Sequence, residues 1–324
     1  MRRIVVTRAT PGEYTAPDAK VVVGPNKGFL DQLRLHDWLR EQQPISALVT
    51  MFHDVVDEAL LDAAGDSLQV VCNFASGYEN IDVAACAARN VIVCNTPDAV
   101  TEGAADMAWA LLLAAARRLR EAGEYVRSSD YPANGPLGMG DFLGLDITGR
   151  TLLIVGAGRI GYAMALRSIG WGMRVLYVSR TRKRTFEFAP LGARRVTLEG
   201  GLEQADFISL HTPLTDETQH LIGPRELGLM KSTAVLINVS RGPVIDEQAL
   251  VDALKARRIF AAGLDVYEEE PQLTPGLADL PNAILTPHIG SAEARYRAMM
   301  TEIICDNIRA VFAGLTPSNA VATG

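Results

Sequence analysis

The sequence has little positive charge and no long apolar run. Its 324 residues include 31 lysines and arginines against 38 aspartates and glutamates, which gives a formal net charge of −7. An acidic balance repels phosphate backbones, so we expect no nucleic-acid partner. The most apolar stretch, residues 103–116, is interrupted by Asp106 and is shorter than the roughly 20 residues of a membrane span. No membrane partner is expected either.

Cysteine is also scarce. Cys72, Cys86, Cys94 and Cys305 form no C-x-x-C pair, and no histidine stands at metal-ligand spacing from them. We therefore expect buried or incidental thiols in a reducing compartment and no metal site. Residues 1–7 contain two arginines but no apolar run, which indicates a first strand rather than a signal peptide. These features predict a cytoplasmic protein.

Length and composition favour two globular domains, with 48% hydrophobic and 21% charged residues. In the first 95 or so residues, short apolar runs alternate with helical patterns at the spacing of parallel βα units. The predicted strands are 4–7, 21–23, 47–50, 70–73 and 91–94, and the predicted helices are 29–40, 57–64 and 83–89. This part has no glycine-rich turn, so it predicts an α/β domain without a nucleotide site.

The middle of the chain interrupts this alternation. A helix dense in alanine and leucine is predicted over 101–121, and the chain is irregular between 127 and 145. A loop of that length is usually functional or an arm that reaches to a partner. A last helix, predicted over 292–313, carries the chain back to complete the first domain.

The strongest motif is a strand that runs into a glycine turn and then a helix. Residues 151–155 favour a strand, and Gly156, Gly158 and Gly161 follow at the G-x-G-x-x-G spacing of a dinucleotide site. The first glycine permits the tight turn, the second lets a pyrophosphate approach, and the third lets the helix pack on the strand. Helix N–H groups then face the phosphates. A second strand over 174–178 completes a βαβ unit. Further predicted elements are a helix over 162–169 and strands over 207–210, 234–238, 261–264 and 284–285.

The end of that second strand indicates which cofactor binds. An NAD-specific site places an Asp or Glu about 20 residues beyond the glycine turn, where it binds the ribose hydroxyls. Residues 177–184 contain no acid and several cations. We therefore expect NADP(H) to be preferred, with NAD(H) possible. Arg180 is the main expected contact of the 2′-phosphate, Ser179 and Thr181 are hydroxyl donors, and Arg182 or Lys183 assists. A solvated basic loop is the alternative.

Polar clusters follow four predicted strands of the second half, where ligands bind in open α/β sheets. They are 211–214, 238–242, 263–271 and 286–290. Together they supply an arginine to bind a carboxylate, a histidine to donate a proton and a glutamate to stabilise the protonated imidazole. Each cluster alone could be a capped turn, a solvated loop or a buried histidine.

Several stretches carry a resemblance to one family. Residues 76–82, 210–215, 238–242 and 286–292 resemble, in order and spacing, the D-isomer-specific 2-hydroxyacid dehydrogenases, most of all the glyoxylate/hydroxypyruvate reductases. The resemblance extends over nearly the whole chain. It implies two doubly wound parallel-sheet α/β domains. A Rossmann nucleotide-binding domain, 99–290, would be inserted into a discontinuous flavodoxin-like substrate domain, 1–98 and 291–324.

The resemblance also implies roles for individual residues. Arg241 is similar to the family's substrate-binding arginine, and Glu270 to the glutamate paired with the catalytic histidine. His288 is similar to that histidine, the general acid for reduction and base for oxidation. Ser76 and Gly77 correspond to residues that offer backbone N–H groups to the substrate carboxylate.

The nicotinamide has two expected neighbours of its own. Asp265 matches a residue that faces the carboxamide, and Val239 matches one beside the ring. The full set of expected cofactor contacts is Gly156, Gly158, Arg159, Ile160, Gly161, Ser179, Arg180, Thr181, His211, Thr212, Pro213, Thr218, Val239, Ser240, Arg241, Asp265, His288 and Gly290.

Two departures from the family pattern affect details. Glu79 stands where the family usually has aspartate, and residues 130–144 contain no tryptophan, although related reductases carry tryptophans there that reach a neighbouring subunit. We expect this arm to support a homodimer, with its contribution to substrate choice left open. Met51 and Phe52 align loosely with an apolar residue over the substrate's third carbon, and ordinary core positions are the alternative.

The expected activity is reduction of a small 2-oxo acid, such as glyoxylate or hydroxypyruvate, to the D-2-hydroxy acid. One alternative is a dehydrogenase of the same family that uses a different 2-oxo acid or NADH. Another is a non-enzymatic nucleotide-sensing protein, against which the presence of Arg241, Glu270 and His288 argues. A Rossmann methyltransferase has no use for these three residues.

Overall fold

The computed structural model describes residues 1–25, 28 and 30–322. Contacts divide the chain into two units, one of Met1–Val100 with Ser291–Gly324 and one of Thr101–Gly290. Each unit is built on a parallel β-sheet with helices, which confirms the predicted fold class. Phe29, the first residue of the helix predicted over 29–40, lies outside the described residues.

The first unit contains a five-stranded parallel sheet. Its strands are β1 (Arg2–Val6), β2 (Ala19–Val23), β3 (Ala47–Thr50), β4 (Val70–Asn73) and β5 (Ile92–Cys94), and its helices are α1 (Gln32–Glu41), α2 (Glu58–Ala64), α3 (Val83–Ala88) and the last helix of the chain, Ala294–Phe312. The order β2-β1-β3-β4-β5 is that of flavodoxin-like folds. All residues of β3 and β4 are buried, as expected for central parallel strands with both faces covered.

Aspartates fix where three of these helices begin. The side chains of Asp31, Asp57 and Asp82 each accept a hydrogen bond from a backbone N–H three residues later, at 2.8 to 2.9 Å. Such N-caps satisfy a donor that the first helical turn leaves open. The first predicted helix therefore begins at Gln32, immediately after Asp31, rather than at residue 29.

The second unit contains a seven-stranded parallel sheet. Its strands are β6 (Thr151–Val155), β7 (Arg174–Val178), β8 (Arg194–Arg195), β9 (Phe207–Leu210), β10 (Val235–Asn238), β11 (Ala261–Leu264) and β12 (Ala283–Leu285). The order is β12-β11-β10-β9-β6-β7-β8, so β6 and β9 meet where the winding direction reverses. This is the doubly wound order of dinucleotide-binding domains with one further strand. The two-residue edge strand β8 was not predicted, because both of its residues are exposed arginines.

Eight α-helices belong to this unit, all of whose residues are described. They are α4 (Thr101–Ala116), α5 (Leu119–Arg127), α6 (Asp130–Asn134), α7 (Arg159–Arg167), α8 (Arg184–Glu187), α9 (Leu198–Gln204), α10 (Pro224–Leu229) and α11 (Glu247–Lys255). Helix α7 begins at the residue after the second motif glycine and is followed by a 3-10 turn, Ser168–Trp171, so the helix predicted over 162–169 starts too late. Helix α6 lies within the stretch expected to be irregular.

The prediction of one helix over 101–121 is wrong. The chain breaks at Arg118, which has a left-handed φ of 52°, and α5 begins after it. The carbonyl of Ala116 accepts a hydrogen bond from the N–H of Leu145 at 2.8 Å. The N–H of Leu145, where the chain returns, thus caps the end of α4.

Within residues 1–25, 28 and 30–322, no helix is both long and apolar enough to cross a bilayer. The same residues contain no group of three or more His, Cys, Asp or Glu side chains that could hold a metal ion. The four cysteines are free and buried.

Candidate active site

The carboxyl ends of five strands lie level along one edge of the second sheet. Backbone register pairs Val155 with Leu210, Leu210 with Asn238, Asn238 with Leu264, and Leu264 with Leu285. The residues that follow these strand ends include the glycine turn and the four polar clusters. Parallel pairing therefore brings to one edge groups that the sequence places as much as 134 positions apart, from Gly156 to Gly290.

The three motif glycines differ in what surrounds them. Gly156 has a φ of 102°, and a Cβ there would lie 2.6 Å from the carbonyl carbon of His211. At Gly161 a Cβ would lie 2.3 Å from the carbonyl oxygen of Gly156. At Gly158 no neighbouring atom of the described chain lies within 4 Å of that position. The first and third glycines thus serve close packing, while the second leaves open space at the N-terminus of α7, beside Arg159 and Ile160.

Two buried polar atoms beside this turn have no partner among the described residues. They are Nδ1 of His211 and Oγ1 of Thr212, directly after β9. The other ring nitrogen of His211, Nε2, lies 2.8 Å from Oγ of Ser209. Burial lowers the pKa of His211 to about 3, so the ring is neutral. A glycine turn with open space, next to these buried polar atoms at the switch point of the sheet, fits a dinucleotide.

The segment after these atoms is held by Thr218. Its hydroxyl donates to the carbonyl of Pro213 at 2.7 Å and accepts from the N–H of Thr215 at 2.8 Å. Thr218, an expected cofactor contact, is therefore engaged in shaping its own turn.

The basic segment after β7 is organised by an arginine that the sequence did not single out. The Nη2 atom of Arg195, on β8, donates to the carbonyls of Ser179 at 2.9 Å and Arg180 at 2.8 Å. Oγ of Ser179 donates to the carbonyl of Thr181. Arg182 pairs with Glu187 at 2.5 Å. The guanidinium of Arg180 is exposed and has no hydrogen-bond or ion-pair partner within the described ranges.

The structure brings the predicted histidine and glutamate together. Nδ1 of His288 lies 2.8 Å from Oε2 of Glu270, and the other carboxylate oxygen of Glu270 accepts from the N–H of Tyr267 at 3.1 Å. Both side chains are partly exposed. A carboxylate at hydrogen-bond distance favours the protonated imidazole, which is the form that can donate a proton.

Asp265 holds the turn that carries His288. One of its oxygens accepts from Oγ1 of Thr286 at 2.6 Å and from the N–H of Ile289 at 2.9 Å, and the other accepts from the N–H of Gly290 at 2.7 Å. His288 has a φ of 54°, which a non-glycine residue seldom adopts. Burial raises the pKa of Asp265, and these hydrogen bonds oppose that effect. Predicted as a carboxamide neighbour, Asp265 has a direct structural role at this turn.

Arg241 follows β10 in a segment tied to buried Asn238. Oδ1 of Asn238 accepts from the N–H of Ser240 at 3.0 Å and from its hydroxyl at 2.8 Å, and Nδ2 donates to the Arg241 carbonyl at 2.9 Å. The side chain of Val239 packs against the core. At Gly242 a Cβ would lie 1.8 Å from the carbonyl oxygen of Tyr267, so only glycine fits there.

In the first unit, the predicted substrate contacts lie on loops held by asparagines. Nδ2 of Asn73 donates to the Gly77 carbonyl at 2.8 Å, and Nδ2 of Asn95 donates to the Ser76 carbonyl at 2.7 Å. The neighbours Met51 and Phe52 differ, since Met51 is 6% exposed and Phe52 is 42% exposed. Met51 is thus a core residue, whereas the Phe52 side chain is accessible.

The chain is similar to known proteins over most of its length. The family model described as D-isomer specific 2-hydroxyacid dehydrogenase, NAD binding domain, matches residues 109–290. A glyoxylate reductase of Thermococcus kodakarensis is 44% identical over 98% of this chain and 96% of its own length. One from Thermococcus litoralis is 47% identical over 87% of this chain and 85% of its own length.

Solved structures show the same likeness over both units. A Thermus thermophilus protein is 40% identical and superposes with a TM-score of 0.89, covering 99% of this chain and 100% of its own. An NADPH-dependent glyoxylate/hydroxypyruvate reductase of Sinorhizobium meliloti, solved with NADP and malonate, is 32% identical with a TM-score of 0.80. That superposition covers 99% of this chain and 97% of the other.

Proposed function

The chain belongs to the D-isomer-specific 2-hydroxyacid dehydrogenase family, and from this premise we propose that it reduces glyoxylate and hydroxypyruvate with NADPH. As an NAD(P)-dependent oxidoreductase of this family, it acts on a 2-oxo acid. The observation that carries the proposal is the contact of 2.8 Å between His288 and Glu270 at the strand ends that follow the glycine turn.

In the proposed reaction, protein groups bind and protonate the substrate. His288 donates a proton to the substrate oxygen as the 2-oxo group becomes an alcohol, and Glu270 stabilises the protonated imidazole before transfer. The guanidinium of Arg241 binds the substrate carboxylate, because its planar fork matches two oxygens. Backbone N–H groups of Ser76 and Gly77 are the remaining proposed carboxylate contacts.

The bound nicotinamide cofactor supplies the hydride. The open space at Gly158 accepts its pyrophosphate, and the exposed guanidinium of Arg180, which no described residue engages, supports binding of a 2′-phosphate. Thr181 offers a further hydroxyl group, and the hydroxyl of Ser179 would have to release the Thr181 carbonyl before it donates to the phosphate. Use of NADP by a relative with the same fold is consistent with this preference.

The two units have separate proposed roles. The unit Thr101–Gly290 contains the matched NAD-binding domain and holds the nucleotide. We assign substrate binding to the unit formed by Met1–Val100 and Ser291–Gly324, where the Ser76 loop lies.

We also propose that the arm formed by α5, α6 and the loop after them binds a second copy of this chain. Neither helix, both of which lie fully within the described ranges, has a buried residue. Apolar side chains along the arm are exposed, namely Leu119, Val126, Tyr131, Leu137, Met139 and Leu143. A homodimer interface would cover them. Sedimentation should give twice the chain mass, and Val126→Glu should shift the protein toward a monomer, whereas a monomeric unmodified protein would refute the proposal.

The decisive experiment follows nicotinamide absorbance while NADPH or NADH is mixed with glyoxylate, hydroxypyruvate or phenylpyruvate. We expect the highest kcat/KM for NADPH with the two small acids. In the reverse direction, D-glycerate should be oxidised and L-glycerate should not. Nucleotide binding without turnover of any 2-oxo acid would instead indicate a sensing protein.

A further inference from the structure

A buried glutamate outside the proposed catalytic set is hydrogen-bonded to the loop that carries Glu270. Glu247 begins α11 and is 3% exposed. One of its carboxylate oxygens accepts from the N–H of Glu268 at 2.7 Å, and the other accepts from the N–H of Thr274 at 3.1 Å. These two N–H groups lie at the two ends of the segment 268–274. A single carboxylate therefore joins both ends of the loop.

Glu247 and Glu268 each accept a hydrogen bond from the backbone N–H of the other. Oε2 of Glu268 accepts from the N–H of Glu247 at 3.2 Å, while Oε1 of Glu268 lies 2.5 Å from Nε2 of His220. A second contact joins the same two parts of the chain. Gly242 packs directly on the Tyr267 carbonyl, with no room for a Cβ. The segment 241–247, which begins with the proposed substrate arginine, is thus joined to segment 267–274 at two points.

Hydrogen bonds within the loop connect its two ends to Glu270. The N–H of Gln272 donates to the Glu269 carbonyl at 2.7 Å, which closes a tight turn around Glu270. The N–H of Tyr267 fixes one carboxylate oxygen of Glu270, which leaves the other directed at His288. A shift of the loop ends would therefore lengthen the contact between Glu270 and His288.

We propose that Glu247 is a positioning residue for the proton-donating pair, because it holds the loop at the distance at which Glu270 stabilises protonated His288. Its part in catalysis rests on the proposed function, whereas its effect on His288 does not. The carboxylates of Glu270 and Asp265 face His288, and the imidazole of His220 faces Glu268.

The test replaces Glu247 by glutamine, which fits the site but presents an NH₂ group to one of the two N–H donors. Small misplacements of a catalytic group can reduce rates by up to about 100-fold, so we expect kcat/KM for glyoxylate to fall about 10- to 100-fold. The KM for NADPH should not change. Reduction requires protonated His288, so the pH at which the rate has fallen by half should move down. It should approach the value of a Glu270→Gln variant, which lacks the carboxylate that contacts the imidazole.

A matched control separates positioning from stability. Asp246→Ala removes the N-cap of the same helix, where Asp246 accepts from the N–H of Ala249 at 2.9 Å, but leaves the Glu247 contacts intact. Both variants should lower the melting temperature, and only Glu247→Gln should move the pH profile. In a Glu270→Gln background, Glu247→Gln should cause no further shift. Equal pH profiles for Asp246→Ala and Glu247→Gln would overturn the proposal.

A readout without turnover distinguishes this proposal from the proposed function. The protein has five histidines, so the imidazole of His288 can be titrated by NMR in the cofactor-free protein and assigned from a His288→Gln variant. A lower midpoint in Glu247→Gln supports positioning even if no 2-oxo acid is reduced. An unchanged midpoint refutes it even if the enzyme is an active glyoxylate reductase.

Discussion

Replacing Arg180 by alanine should remove most of the preference for NADPH and leave reduction with NADH intact. The basic segment after β7 contains several cations, but they are not equivalent. Arg182 is paired with Glu187, and Arg195 donates to two backbone carbonyls of the segment. Arg180 projects an exposed guanidinium that is not engaged by the described residues. The side chains of Lys183 and Arg184 are likewise not engaged by described residues, but Arg180 lies nearest the end of β7, where a dinucleotide's ribose binds in this kind of sheet. We therefore assign the phosphate contact to Arg180, which can bind without breaking an existing contact.

The expected loss of kcat/KM for NADPH follows from the hydrogen bond that the 2′-phosphate loses when Arg180 is removed. A hydrogen bond to a charged group contributes about 1.5 to 3 kcal/mol, and about 1.4 kcal/mol corresponds to a tenfold change in affinity. Removing Arg180 should thus lower kcat/KM for NADPH by roughly 10- to 150-fold, since the 2′-phosphate loses this partner. Exposure of the side chain favours the lower end of this range. The effect should shrink as ionic strength rises, because solvent ions screen exposed charges.

The assay compares kcat/KM for NADPH and NADH, with glyoxylate held at saturation, in three proteins. Arg182→Ala is the control, because it removes the same charge from the same segment but from a side chain committed to Glu187. We expect the ratio of NADPH to NADH use to collapse only in Arg180→Ala. Equal losses in both variants would show that the segment acts through its total charge. A preference of the unmodified enzyme for NADH would refute the assignment of the segment to a 2′-phosphate.

Three further predictions concern the site. His288→Ala should lower kcat by about 10²- to 10⁴-fold while NADPH binding, followed by fluorescence titration, persists; an unchanged rate would exclude it as the acid. Gly158→Ala should raise the KM for NADPH at constant melting temperature, whereas Gly161→Ala should destabilise the fold by about 1 to 3 kcal/mol through overpacking, and thermal unfolding separates the two. Glyoxylate should be preferred over phenylpyruvate, and Phe52→Ala should narrow that preference; comparable kcat/KM for the two acids in the unmodified enzyme would contradict a role for Phe52.

The strands were the most predictable part of the fold. Central parallel strands are buried on both faces and appear in the sequence as short continuous apolar runs, so β6, β7, β9 and β11 have the predicted bounds. The break in the predicted helix over 101–121 had no such local signal. Arg118 follows an alanine- and leucine-rich run, and the N–H that caps Ala116 comes from Leu145, whose approach depends on tertiary structure.

The candidate site was likewise predictable in its reactive residues and not in the contacts that hold them. The family resemblance pointed to Glu270 and His288, and parallel strand order explains why they meet, since β11 and β12 are neighbours with level carboxyl ends. Arg195 was missed because its partners are backbone carbonyls, which every residue has and which no motif marks. Sequence thus indicates which side chains carry reactive groups, but not which contacts hold them.

Glu247 is the clearest example of that limit. In the sequence it is an acid in the first turn of a helix, a position where carboxylates are common because they interact favourably with the helix dipole. Its burial and its two bonds to the ends of segment 268–274 arise only when α11 packs beside the loop that follows β11. A pair such as Glu270 and His288 needs a fixed distance as well as the right residue types. The residue that sets this distance lies 23 positions from one member of the pair and 41 from the other, so only the folded chain brings the three together.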